Sequence, residues 1–126
     1  MPSLPNSILA TVQRFAESMS LVAVPARDGA YIFEFETTGT LSFTPHPGGT
    51  GPAVMSLSRD LRMPRYTALP ALLRQAGYDP GLDRTIHVGL SRKGKAVVWT
   101  PLGSERFEQS DLVAAWSRLR AIVAVA

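Results

Sequence analysis

The side chains best suited to acid–base or metal chemistry are few and scattered in this chain of 126 residues. Of its two histidines, His46 lies between two prolines and His87 lies in a predicted strand, and neither has a carboxylate or a second histidine at ligand spacing. Metal centres need such donors close together, and the chain contains no cysteine. We therefore expect no metal site and no cofactor, with His46 in a loop and His87 on the solvated face of a strand.

Carboxylates and nucleophiles give no stronger signal for catalysis. Glu34 and Glu36 share one face of a predicted strand, whereas the carboxylate pair of a glycosidase faces the substrate across a cleft. No Gly-x-Ser-x-Gly elbow is present, and the glycine-rich stretch 48–51 has no lysine after it and opens no helix, so it lacks the features of a phosphate-binding loop. The sequence predicts a protein that is not an enzyme.

Basic residues form two short clusters, at 59–65 and at 92–95, in a chain whose formal net charge is +3. An ordinary basic surface and a surface for nucleic acid are both consistent with such clusters. The aromatic residues Tyr31, Phe33 and Phe35 alternate on the strand face that must be buried, whereas a platform for stacking bases needs them exposed. Nucleic-acid binding therefore remains an alternative function.

The elements that carry these residues follow from the spacing of apolar side chains. A helical stripe is predicted at 6–20, with Asn6 or Ser7 as its cap, and the closing helix begins near Ser104 or Ser110. The full set of predicted elements comprises helices at 6–20, 67–76 and from 104 or 110 to 126, and strands at 31–36, 41–44, 53–58, 86–91 and 96–100.

This order predicts an α+β fold, α-βββ-α-ββ-α, in which a twisted antiparallel sheet is packed by helices. The connections between the first three strands are too short for crossovers, so those strands form an antiparallel meander. Residues 1–126 form a single domain by the usual size range. The first residues resemble no signal peptide and no apolar run reaches about 20 residues, so we expect a cytoplasmic protein with no membrane partner.

Several local sequences resemble the class I type III secretion chaperones, the Tir-chaperone family. The opening stretch 8–16, Ile-Leu-Ala-Thr-Val-Gln-Arg-Phe-Ala, is similar to that family's first helix, and the turn 19–21 follows it. Asp28 and Gly29 before the first strand, and the aromatic Trp116 in an amphipathic closing helix, extend the resemblance over nearly the whole chain.

The resemblance implies a cytoplasmic homodimer that binds an unfolded segment of a secreted effector protein. Strand alternation adds one observation of its own, because Ile32 is an apolar residue on the same strand face as Glu34 and Glu36. The expected cargo-binding residues are Ile8, Val12, Ile32, Glu34, Leu41, Phe43 and Val54. The expected dimer interface consists of Leu69, Leu72, Leu73, Ile86 and Val88. The alternatives are an immunity or adaptor protein on the same fold, and a small nucleic-acid-binding protein that uses its arginines.

Overall fold

The protein is described here by a computed structural model, which covers residues 3–47, 51–103 and 107–126. Within those ranges the chain forms three helices and six strands. In chain order they are α1 (Asn6–Ser18), β1 (Tyr31–Phe35), β2 (Gly39–Thr44), β3 (Ala53–Asp60), α2 (Arg65–Leu73), β4 (Gly77–Asp79), β5 (Arg84–Leu90), β6 (Lys95–Leu102) and α3 (Gln109–Val123).

The predicted α+β class and the order of the long elements are confirmed. The prediction missed β4, because three residues are too few to show a strand period. It also placed the second helix two residues late and ended it three residues late, since the helix begins directly after Pro64, whose fixed φ suits a helix start. Residues 48–50 of the glycine-rich stretch, and the earlier start proposed for the closing helix at Ser104, lie outside the described residues.

The six strands form one antiparallel sheet in the order β1-β2-β3-β6-β5-β4. The first three strands are the predicted meander, and β6 returns to pair with β3 after α2, β4 and β5. This return leaves β1 and β4 at the two edges of the sheet.

All three helices pack on the same face of the sheet. In α1, Phe15 makes an edge-to-face contact with Phe33 of β1, with ring centroids 6.1 Å apart. The last helix packs on β3 and β6, and α2 packs on β5. Strand residues alternate accordingly, with every second residue of β6 buried beneath the helices. The molecule is therefore a two-layer structure whose second sheet face has no covering element among the described residues, and no described helix is long and apolar enough to span a membrane.

This packing corrects part of the expected cargo surface. Ile8, Val12, Leu41 and Phe43 are buried in the core between the helices and the sheet. The apolar stripe of α1 faces β1 and α3, and the odd-numbered residues of β2 point to the helix side. These four side chains therefore provide no surface to a cargo in this structure.

The expected dimer residues divide in the same way. Leu72 and Ile86 are buried within the chain, because α2 packs on β5 with these positions facing inward. Leu69 and Val88 are half-buried, and Leu73 is exposed. Of the five, Leu73 presents the largest apolar surface for a second copy of the chain.

Candidate binding surface

The sheet face that no described element covers, which we call the outer face, carries a continuous row of side chains across five strands. The strand register aligns Ile32 with Ser42, Ser42 with Ser56, Ser56 with Trp99, and Trp99 with His87. Paired residues of antiparallel strands point to the same face. The row therefore has an apolar residue at the β1 edge, two serines at its centre and two aromatic rings beyond them.

The two rings at the far end of this row support each other. The imidazole of His87 stacks on the indole of Trp99 with ring centroids 5.5 Å apart and planes 18° from parallel.

At the centre of the row, the hydroxyl oxygens of Ser42 and Ser56 lie 2.6 Å apart and form a hydrogen bond. This bond uses one of the two hydroxyl hydrogens, so one serine keeps an O–H that can donate to a ligand.

A groove opens in the outer face beside Trp99, where the strands meet the connection between β2 and β3. Its volume is about 360 Å³, and we call it the outer groove. Most of its lining is apolar, and prolines form three of its positions. It is lined by Thr44, Pro45, His46, Pro47, Pro52, Val54, Ser56, Val97 and Trp99. Grooves with rigid apolar walls and few polar groups are typical ligand sites.

The β1 edge of the sheet adds a second apolar area. Val22 and Val24 are 82% and 66% exposed in the extended segment before β1, and Ile32 is 50% exposed on β1 itself. An antiparallel bridge between Pro25 and Tyr31 holds that segment beside the strand. We call Val22, Val24 and Ile32 the edge patch, which is a local concentration of apolar surface rather than a single exposed residue.

The other end of the outer face is basic. The hairpin between β5 and β6 brings Arg92, Lys93 and Lys95 to a shallow depression of about 550 Å³. The Nζ of Lys95 lies 3.8 Å from a carboxylate oxygen of Asp60. The outer face thus changes from apolar at the outer groove to positively charged at this hairpin.

Among the described residues, no group of three or more histidine, cysteine or acidic side chains could hold a metal ion. Glu34 on β1 and Glu36, which lies one residue beyond the end of that strand, are both exposed, as predicted. His87 is exposed as expected, and its ring is stacked on that of Trp99.

Three of the seven expected cargo residues therefore lie at the surface: Ile32 and Glu34 on the outer face of β1, and Val54 in the outer groove. Trp99 and Val97 were missed. The run Ala-Val-Val-Trp-Thr at 96–100 is apolar on both faces, so its alternation does not show which side is covered. The pairing of Trp99 with Ser56 determines that face, and that pairing requires the tertiary structure.

The fold is that of several solved structures of type III secretion chaperones. A chain in the Yersinia pestis chaperone SycH complex with a stable fragment of YscM2 is 16% identical, with a TM-score of 0.65 over 93% of this chain and 98% of that one. A chain of the ExoU–SpcU complex from the type III secretion system of Pseudomonas aeruginosa is 14% identical, with a TM-score of 0.61 over 90% and 96%. A chain of the HopA1–SchA chaperone–effector complex is 14% identical, with a TM-score of 0.65 over 94% and 91%. No protein-family model and no curated sequence matches the chain.

Proposed function

We propose that this protein is a type III secretion chaperone that binds an unfolded segment of an effector in the bacterial cytoplasm and keeps it competent for secretion. The observation that carries the proposal is an outer face with an apolar groove and an apolar edge. This surface lies on a fold that matches chains from structures of such chaperone complexes over at least nine-tenths of this chain and of each matched chain. The cargo is a polypeptide, because the surface is long and open, with an apolar groove and an apolar edge, rather than a closed pocket for a small substrate.

The geometry supports binding of an extended chain. The row from Ile32 to His87 crosses five strands, and strands in a sheet are spaced about 4.8 Å apart, so the surface is roughly 20 Å across. Apolar side chains of an extended segment would occupy the outer groove and cover the edge patch. Backbone groups of an edge strand that do not pair with a neighbouring segment would add hydrogen bonds without regard to cargo sequence. Such a site selects for an unfolded segment, since a folded protein has already used its own backbone groups.

The first experiment identifies the cargo and tests its state. The protein would be purified from its host with bound proteins cross-linked, and the cross-linked segment would then be produced alone. We expect a segment of a secreted protein that binds with micromolar or tighter affinity. Its amide protons should still exchange rapidly outside the contact region, because the chaperone holds it unfolded. A cargo that binds only in its folded form would contradict the proposal.

A pair of matched variants tests the surface. Ile32 on the edge patch and Val113 on α3 are 50% and 48% exposed, so an aspartate at either position meets similar solvent. Ile32→Asp should weaken cargo binding tenfold or more, which is about 1.4 kcal/mol. Val113→Asp should change it less than twofold. Calorimetric titration measures both, and circular dichroism checks that both variants fold. Equal binding by the two variants would mean that the cargo does not contact the edge patch.

A further inference from the structure

A second cleft lies on the helix side of the sheet, on the opposite side from the outer face. It has a volume of about 420 Å³ and lies between the β1–β2 turn, the end of β3 and α3. Three guanidinium groups, three hydroxyl groups and one alanine line it. These residues, which we call the arginine cleft, are Thr37, Thr38, Arg59, Arg62, Ser117, Arg120 and Ala121. The lining contains no acidic side chain.

A close backbone approach builds one wall of this cleft. Gly39 has a φ of +117°, and a Cβ at this position would overlap the carbonyl oxygen of Ser58. Without a side chain, the turn lies directly against β3 beside Arg59. This contact places the hydroxyl-bearing residues Thr37 and Thr38 next to the guanidinium group.

The arginines of the cleft form no ion pair with another described residue. This holds for Arg59, Arg62 and Arg120 alike. By contrast Arg118, which lies on α3 with Arg120, forms an ion pair in which its Nε is 2.9 Å from a carboxylate oxygen of Asp79. One guanidinium nitrogen of Arg59, Nη2, is buried and has no hydrogen-bond partner. A buried polar nitrogen without a partner destabilises the folded protein, and more so when it is charged. Arg59 therefore lacks one acceptor within the protein.

The environment of Arg59 agrees with this deficit. Burial lowers the pKa of Arg59 below its usual value, and the neighbouring positive charge of Arg62 lowers it further. An anion in the cleft would oppose the second effect by adding a negative charge beside the two guanidinium groups. The protein therefore holds two cations close together at a cost that a ligand could offset.

Contacts outside the cleft restrain the side chain of one arginine and the backbone of another. The guanidinium carbon of Arg120 lies 5.2 Å from the ring centroid of Trp116, which restricts its side chain by a cation–π contact. The backbone N–H of Arg62 donates to the carbonyl oxygen of Ala126 at 2.9 Å, and this bond fixes the start of the loop after β3. Such restraint reduces the entropy lost when a ligand binds.

We propose that the arginine cleft binds a phosphate group. Guanidinium groups pair with carboxylates and phosphates through two parallel hydrogen bonds. A carboxylate has one negative charge and two oxygens, and two guanidinium groups that each donate two hydrogen bonds already occupy both oxygens. A phosphate has nearly two negative charges at neutral pH and three free oxygens as a monoester, so it can accept from three arginines and from the hydroxyls of Thr37 and Ser117. This site is separate from the proposed cargo surface and does not depend on it.

The test is a titration followed by nuclear magnetic resonance at 150 mM NaCl, with three probes: inorganic phosphate, a short peptide with a central phosphoserine, and succinate. We expect saturable shifts of the amide signals of Thr38 and Ser117 with both phosphate probes. Tighter binding of the phosphopeptide would identify a phosphorylated protein as the source of the group, and equal or tighter binding of inorganic phosphate would identify the free anion. Shifts that do not saturate, or succinate binding as tight as phosphate, would overturn the proposal.

Matched double variants separate a specific site from general charge attraction. The variant Arg59→Gln with Arg120→Gln removes two charges from the cleft, and Arg92→Gln with Lys93→Gln removes two from the exposed β5–β6 hairpin. The first should weaken phosphate binding at least tenfold and the second less than threefold. The single variant Arg120→Gln changes an exposed side chain and should still reduce affinity severalfold if the double variant is poorly folded. Equal losses in the two double variants would overturn the proposal.

Discussion

Phe43 is a buried residue in the chain of aromatic contacts that joins the sheet to its helices. The centroid of its ring is 6.3 Å from that of Phe33. The Phe33 centroid is 6.1 Å from that of Phe15 on α1, which is 6.3 Å from that of Trp116 on α3. All three contacts are edge-to-face, the arrangement that favours aromatic pairs beyond the area they bury. The cluster therefore links β2, β1, α1 and α3 through side chains alone.

At this scale we predict that Phe43→Ala destabilises the protein by about 3–5 kcal/mol, because it leaves a cavity beneath well-packed rings. The exposed Tyr66→Ala should change stability by no more than about 0.5 kcal/mol. Urea unfolding monitored by tryptophan fluorescence measures both. A loss at Phe43 as small as that at Tyr66 would indicate that the ring is not part of the core, contrary to this structure.

The contrast between Phe43 and Ile32 shows what alternation alone can establish. Ile32 lies between the aromatic residues Tyr31 and Phe33, so the sequence alone places it on the opposite face of the strand from them. Phe43 lies in the short alternating run Leu-Ser-Phe-Thr at 41–44. The alternation shows that Phe43 is on the apolar face of the strand, but it does not show what packs against that face. Whether an apolar face meets a helix or a cargo depends on which side the helices pack, and that is a property of the tertiary structure.

Helix ends differ in how they are stabilised. Pro5 and Pro64 precede α1 and α2, and neither helix has a side-chain hydrogen bond at its cap. The N-terminus of α3 has a capping box instead, in which a carboxylate oxygen of Asp111 accepts from the backbone N–H of Glu108 at 2.9 Å. Glutamate is not among the preferred capping residues, so this start was not identifiable from residue type alone, and the sequence predicted Ser104 or Ser110.

We predict that Asp111→Ala destabilises the protein by about 0.5–2 kcal/mol, because the substitution leaves the Glu108 N–H without its acceptor and removes a negative charge from the positive end of the helix dipole. Ser110→Ala changes the preceding helical residue without touching the cap and should be close to neutral. Thermal unfolding of the two variants beside the parent protein measures the difference. A neutral Asp111→Ala would mean that the capping box contributes nothing measurable to α3.

At the scale of the whole molecule, the segment between β3 and β5 combines a short helix with an edge strand. An ion pair from Arg118 to Asp79, at 2.9 Å, fixes this edge to α3, and the same guanidinium donates to Gln75 at 3.2 Å. Leu73 and Tyr78 remain 55% and 61% exposed beside it. A short, well-anchored edge with apolar side chains is suited to pairing with a second copy of itself, because a twofold axis then places identical apolar groups on both sides.

We therefore predict that the protein is a homodimer through α2 and the β4 edge, with light scattering giving twice the chain mass of 13.6 kDa at micromolar concentration. Burial of a leucine contributes about 1.5–3 kcal/mol, and a twofold interface contains two Leu73 side chains, one from each copy. Leu73→Asp would place two carboxylates in the interface and should yield a folded monomer, whereas Val113→Asp, on the solvent side of α3, should remain a dimer.

The edge patch lies at β1, at the opposite edge of the sheet from β4. The Leu73→Asp monomer should therefore still bind one cargo segment, although with lower avidity for a cargo that spans both copies. A parent protein that stays monomeric at 100 times this concentration would contradict the interface.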